Sequence, residues 1–234
     1  MLDPKNAVDL FGAFSWLAGI VAAGFLVSWL LTDIFSVNRY LYVGALALVT
    51  GVMAGGYLLW SELGIRFWTH NWVWGIVTAA VTGAFLALLV RRAPTPEGSR
   101  RGLRPAKGLW EGLVYGASEG ILLSTVPVLA IWQGIAGREW TDGWLGVGAG
   151  VSALAASALV IVVHHWGYRE YRSRAVLRPL TACLVLSVGY LLTASPIAAV
   201  GGHIVLHLAM LRRGMELPPH ARPARAPQGP VLAR

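Results

Sequence analysis

The chain alternates long apolar runs with short charged stretches, and this pattern predicts its secondary structure. Each run is about 20 residues long, the length that a helix needs to cross about 30 Å of hydrocarbon at about 1.5 Å per residue. The alternating apolar and polar segments of an outer-membrane barrel are absent from the sequence. The runs predict an all-α, polytopic transmembrane bundle of seven spans: Ala7–Leu31, Tyr40–Leu59, Trp72–Val90, Leu109–Gly134, Trp144–His164, Leu180–Thr193 and Pro196–Leu211.

The basic residues test this span count, because successive loops of a polytopic protein lie on alternating sides of the membrane. Seven spans place 16 of the 19 lysines and arginines on one side, and only Lys5, Arg66 and Arg138 on the other. Cytoplasmic loops carry the excess of basic residues in membrane proteins. We therefore expect the N-terminus outside and the C-terminus in the cytoplasm of a multi-pass protein of the cell membrane.

The same pattern divides the chain into four parts. Residues 1–90 hold three transmembrane helices, and residues 91–108 form a basic cytoplasmic loop. Residues 109–213 hold a core of four helices. Residues 214–234, rich in proline, arginine and alanine, form a tail that we expect to be disordered.

Composition agrees with a membrane protein, since 56% of the residues are apolar and 13% are charged. The single cysteine, Cys183, excludes an intrachain disulfide. The net charge of +8 is explained by topology and by contact with anionic lipids of the cytoplasmic leaflet. We therefore expect the bilayer as partner and no binding of nucleic acid.

Ionisable residues inside the spans are the candidates for chemistry, because each is costly in hydrocarbon and marks a function or a buried partner. Almost all of them lie in three of the last four spans. The candidate site residues are Glu111, Glu119, His164, His165, His203 and His207.

The depth of each candidate can be estimated from its distance along the helix to the nearest cytoplasmic charge, at about 1.5 Å per residue. All six fall in the cytoplasmic half of the bilayer. Glu111, His164 and His207 are expected at one level, and Glu119 and His203 at a deeper one.

Two kinds of chemistry suit these residue types. His203 and His207 are four residues apart and share a helix face. A carboxylate and imidazoles that converge on one cavity can deprotonate a water, or they can bind a metal through nitrogen and oxygen. The purely structural interpretations are a favourable helix-dipole position for Glu111, an interfacial place for His164 and His165, and hydrogen bonds between helices for the others.

Several classes of membrane protein are excluded. A retinal Schiff base requires a lysine within a span, and the only lysines are Lys5 and Lys107. The chain has six histidines, fewer than a membrane di-iron desaturase uses. His-Glu-x-x-His and Walker A motifs are absent.

The order of these residues resembles the CPBP intramembrane proteases, which include the CAAX prenyl endopeptidases and the bacteriocin-immunity proteins. That family carries Glu-Glu-x-x-x-Arg, Phe-x-x-x-His and His-x-x-x-Asn motifs. Here Glu111-Gly-Leu-Val-Tyr-Gly116 resembles the first motif, and the stretch from Tyr190-Leu to His203-Ile-Val-Leu-His207 resembles the last. The resemblance covers roughly residues 105–213. The paired glutamates and the motif arginine are absent, which indicates a divergent member.

The resemblance implies a metal-independent peptidase that acts on a membrane-anchored or cytoplasmic-face substrate. One of the two glutamates would be the general base, with His164 or His165 and His203 orienting or polarising the water. His207 would occupy the position of the oxyanion-stabilising asparagine. The sequence leaves the choice between Glu111 and Glu119 open.

Two other functions stay open beside the peptidase, which requires no cofactor. The chain can be a metal- or haem-binding membrane protein that uses His203 and His207 with His164 and Glu119. It can also be a non-catalytic scaffold or immunity-type protein whose polar residues only hold helices together.

Overall fold

The computed structural model describes residues 8–94, 105–136 and 143–215. It has eight helices of four or more residues within these ranges and no strand. The helices are α1 Leu10–Ile34, α2 Arg39–Trp60, α3 Arg66–Thr69, α4 Trp72–Arg92, α5 Pro105–Ile135, α6 Gly143–Trp166, α7 Leu177–Thr193 and α8 Pro196–Arg212. Most of the predicted 91–108 loop and nearly all of the 214–234 tail lie outside the described residues.

The all-α prediction is confirmed. In the described part of the chain, six helices are long and apolar enough to cross a membrane: α1, α2, α4, α5, α6, and α7 with the short turn that precedes it. The α8 helix is apolar but shorter, at 17 residues. Large apolar side chains also face outward, among them Phe11, Leu59 and Trp144. These features together define a helical membrane protein.

The helix boundaries follow from capping residues in the sequence. Asp9 caps α1 by accepting the backbone N–H of Gly12 at 2.6 Å, and Asn38 caps α2 by accepting that of Leu41 at 3.0 Å. The last two helices are joined by a tight turn, in which Ala194 has a φ of +50° and Pro196 is the first residue of α8.

The α5 helix lies at the centre of the bundle. Its apolar window is 83% buried, whereas the windows of the other five long helices are 22–39% buried. Its first part packs against α8 and its last part against α1 and α6, while α4 packs along α8. Two stretches of α5, Gly108–Val114 and Gly120–Thr125, are π-helical. The helix with both candidate glutamates is therefore the one most enclosed by protein.

Glycines bring α5 and α8 unusually close together. A Cβ atom on Gly116 would lie 2.9 Å from the Cα of Ile204, and one on Gly120 would lie 2.8 Å from the Cα of Val200. Gly112 occupies the same stripe one turn earlier. Small residues allow such backbone contact between helices in membranes. This contact sets the distance between the polar residues of the two helices.

Candidate functional site

The structure buries all six candidate residues. Their relative exposure is 5% or less, so His164 and His165 are interior residues rather than interfacial ones. Buried ionisable groups need partners, because an unpaired charge away from water is strongly unfavourable. The contacts of each residue therefore show which of them form one site.

Glu119 is the centre of the cluster. The Nε2 of His207 donates a hydrogen bond to Oε2 of Glu119 at 3.0 Å. The Nε2 of His164 lies 3.7 Å from the other carboxylate oxygen, Oε1. Three helices, α5, α6 and α8, thus bring one carboxylate between two imidazoles.

His203 belongs to the same cluster. Potential ligand atoms of Glu119, His203 and His207 all lie within 4.8 Å of one another. The hydroxyl of Ser124 is 3.3 Å from Nε2 of His203. The expectation that Glu119 and His203 lie near each other is confirmed.

Along the helix pair, Gly112 lies against Leu208, so Glu111 and His207 are at about the same level, as predicted. The side chain of His207 nevertheless reaches the carboxylate of Glu119.

The imidazole of His164 is held in one orientation. Its Nδ1 lies 3.0 Å from the carbonyl oxygen of Gly24 and 2.9 Å from the hydroxyl of Ser28. A carbonyl only accepts, so Nδ1 carries the proton and Nε2 of the neutral ring is an acceptor. The hydroxyl of Tyr168 donates to this Nε2 at 3.1 Å. Such support fixes the tautomer of a histidine in metal and catalytic sites alike.

Tyrosines surround the cluster on one side. The hydroxyl of Tyr168 contacts that of Tyr42 and lies 3.4 Å from that of Tyr115. The ring of Tyr115 meets the ring of His207 edge to face, with centroids 4.8 Å apart. Burial raises the pKa of Tyr168 well above its usual range, so its hydroxyl stays a hydrogen-bond donor at physiological pH.

His165 has different contacts from its neighbour. Its Nδ1–H donates to the carbonyl of Ile161, one turn earlier in α6, at 2.8 Å. Its ring packs against Tyr171, with centroids 5.2 Å apart, and against Tyr168. Of the two histidines, His164 is therefore the one that lies beside the carboxylate of Glu119.

Glu111 forms a separate ion pair. Its Oε2 lies 2.7 Å from Nε of Arg39 and 4.0 Å from Nζ of Lys107. The Arg39 guanidinium also lies over the ring of Tyr115, 5.1 Å from its centroid. Glu111 precedes Glu119 by eight residues, roughly 12 Å along an α-helix. The structure thus joins Glu119 to the histidines and Glu111 to the end of α2.

Several residues that shape this site were not predicted from the sequence. Tyr168 carried a signal, because it follows His164 by four residues and so can reach the same helix face. Arg39 was used only as a marker of topology. The pairing of Ser28 and Tyr42 with residues more than 120 positions away had no signal in a single sequence.

Comparisons with known proteins identify no relative. No family model, no curated protein and no solved structure matches the chain. The chain is a helical membrane protein with a buried Glu/His cluster, and its function has to be inferred from that cluster.

Proposed function

We propose that the chain is a Glu/His-dependent intramembrane peptidase, of the kind that the CPBP resemblance implies. The observation that supports this most directly is the Glu119 carboxylate between His207 and His164, with His203 in the same buried group. A carboxylate in this setting is a suitable general base for a water molecule. The geometry favours Glu119 over Glu111, whose carboxylate is engaged by Arg39.

The residues divide the hydrolytic step among them. Glu119 takes a proton from water as the water oxygen attacks the scissile carbonyl, and it returns this proton to the leaving amine nitrogen. His164 lies 3.7 Å from Oε1 of Glu119 and borders the site of the water, with its ring held by Gly24 and Tyr168.

The tetrahedral intermediate needs a donor for its oxyanion. The resemblance assigns this role to His207, but the Nε2–H of His207 is engaged by Glu119. His203 is the better donor, because the hydroxyl of Ser124 can donate to Nε2 and leave the proton on Nδ1. The Nδ1 of His203 is buried with no hydrogen-bond partner in the described parts of the chain. We therefore propose that His203 donates the hydrogen bond to the oxyanion and that His207 aligns the carboxylate of Glu119.

The proposed substrate is a membrane-anchored peptide or protein. The cluster is enclosed by apolar helices, so a substrate has to enter the bilayer to reach it. A membrane-anchored substrate is already there and needs no transfer from water. We further propose that α8 is a seventh span, with the N-terminus outside and the C-terminus in the cytoplasm of the cell membrane, because this arrangement gathers the basic loops on one side. Reporter fusions at each loop test this topology. A C-terminal fusion that is active only outside the cell would refute it.

The peptidase assignment is tested with the purified full chain in proteoliposomes and a panel of lipidated peptides. Glu119→Gln keeps the shape of the side chain but removes the base, and we expect cleavage to fall by about 10²–10⁴-fold. Glu62→Gln, the same change at an exposed residue after α2, is the matched control, and we expect it to cleave like the wild type. Equal cleavage by the wild type and Glu119→Gln would refute the proposal.

A second candidate function is the binding of a metal ion, which the Glu119, His203 and His207 group favours. Ligands that share one zinc ion at about 2.0–2.1 Å lie at most roughly 4.2 Å apart. Their atoms lie within 4.8 Å, so at most a small side-chain rotation closes the group on one ion. The Nδ1 atoms of both histidines have no partner among the described residues, which also fits an added water or ion. Haem at His203 and His207 stays a prediction.

Elemental analysis of the purified protein distinguishes the two functions. Stoichiometric zinc or iron that is lost in His203→Gln would support the metal site. Peptide cleavage that survives a strong chelator would support the metal-independent peptidase.

A further inference from the structure

A groove with an aromatic floor and a basic rim opens on the outside of the bundle, next to the Glu/His cluster but separate from it. It encloses about 680 Å³ between the end of α1 and the connection from α6 to α7. Phe25, Trp29, Trp166 and Leu177 form its apolar part, and Arg172 and Arg174 its polar edge. The volume is in the range of small-molecule sites in proteins.

The apolar part is built to contact a hydrocarbon chain. The rings of Phe25 and Trp29 are stacked, with centroids 5.7 Å apart, and form one continuous face. Trp166 is 51% exposed and Leu177 is 53% exposed. Tryptophan at a helix end is typical of the boundary between hydrocarbon and headgroups. This face therefore suits the upper part of an acyl chain.

The rim carries a net positive charge. Asp33 is shared by two guanidinium groups, with Arg169 at 2.9 Å and Arg172 at 2.8 Å. Arg172 is held further by the carbonyls of Trp166 and Gly167, at 3.0 and 3.3 Å. One carboxylate thus faces two arginines.

A third arginine completes the rim. Arg174 is exposed on the turn that follows Ser173, at the edge of the same groove. The guanidinium of Arg172 is held in place and that of Arg174 is exposed, so the positive charge of the rim is complementary to an anion. Guanidinium groups bind phosphate oxygens by charge-assisted hydrogen bonds.

We propose that this groove binds one anionic phospholipid. Its phosphate lies between Arg172 and Arg174, and one acyl chain lies along Phe25 and Trp29. Apolar floor and cationic rim meet at the end of membrane-spanning helices, where lipid headgroups are found. The occupant is a lipid rather than a free phosphate because the larger part of the lining is apolar.

Native mass spectrometry of the full chain tests the proposal, with dioleoyl-phosphatidylglycerol and dioleoyl-phosphatidylcholine as probes. We expect retention of the anionic lipid to exceed that of the zwitterionic one. Arg174→Gln removes one charge-assisted contact and should weaken binding of phosphatidylglycerol about tenfold. Arg91→Gln, at the exposed end of α4, removes the same charge elsewhere and should leave binding within about twofold, as expected for a charge that makes no contact with the lipid.

A second variant tests the apolar part. Leu177→Ser replaces an exposed side chain and should lower retention of phosphatidylglycerol severalfold without a change in melting temperature. Equal losses in Arg174→Gln and Arg91→Gln would show a general surface charge effect and overturn the proposal. Displacement of the lipid by millimolar inorganic phosphate would also overturn it, because it would show a site for the anion alone.

Discussion

Replacing Gly116 by alanine should separate the two helices that carry the Glu/His cluster. The added Cβ would lie 2.9 Å from the Cα and 3.1 Å from the backbone nitrogen of Ile204, and 3.2 Å from the carbonyl carbon of His203. Ordinary contacts begin at 3.4 Å, so the closest approach is short by about 0.5 Å. Backbone atoms cannot rotate away as the end of a side chain can. Helices α5 and α8 must therefore move apart.

The expected cost follows from two opposed effects. Overpacking of a well-packed interior costs about 1–3 kcal/mol. Alanine in place of glycine within a helix gains up to about 1 kcal/mol. We therefore expect a net destabilisation of about 1–2 kcal/mol. Glu119 follows Gly116 by less than one turn, so the same movement lengthens its 3.0 Å hydrogen bond to His207 and should impair any activity of the cluster.

Reversible unfolding by sodium dodecyl sulfate in mixed micelles, followed by circular dichroism, measures this cost. Gly148→Ala in α6 is the matched control, because a Cβ at that position meets no atom within 4 Å. We expect the control to be neutral or slightly stabilised. A Gly116→Ala protein as stable as the Gly148→Ala protein would refute the argument that backbone contact sets the spacing of α5 and α8.

Three other substitutions test individual contacts. Glu111→Gln leaves Arg39 beside a neutral partner in a buried ion pair, and the free energy of unfolding should fall by up to about 3–5 kcal/mol in the same assay. Tyr168→Phe removes the donor to His164, which should cost about 1 kcal/mol and lower the activity of the cluster; full activity would show that the hydroxyl does not orient the ring. Asp9→Ala removes the cap of α1 and should cost about 1 kcal/mol, whereas Asp9→Asn should retain most of it.

Much of the fold was accessible from the sequence because the bilayer imposes a length on each helix. The predicted spans at Tyr40–Leu59 and Trp72–Val90 agree with α2 and α4 to within two residues at each end. The predicted span Leu180–Thr193 was too short at its start, since α7 begins at Leu177. Arg178 interrupts the apolar pattern there, but the helix continues past it.

The cluster was predictable in its members but not in its pairings. Ionisable side chains are energetically unfavourable in hydrocarbon, and few of them lie in the apolar runs. Glu119 and the histidines could therefore be identified as candidates from the sequence. The choice between Glu119 and Glu111 depended on Arg39, which comes from a helix whose span contains no candidate site residue. Contacts between residues so far apart along the chain are determined by helix packing, which a single sequence does not show.

The two π-helical stretches of α5 have a consequence for the angular phase of that helix. In an α-helix, residues four apart advance by about 400°, so a stripe at this spacing drifts by about 40° at each step. A π-helix winds more residues into a turn and reduces this drift. Gly112, Gly116 and Gly120 therefore stay aligned along one partner, with Glu119 held at a constant angle beside them. The position of Glu119 in the bundle thus depends on how its central helix is wound, and hydropathy does not report this property.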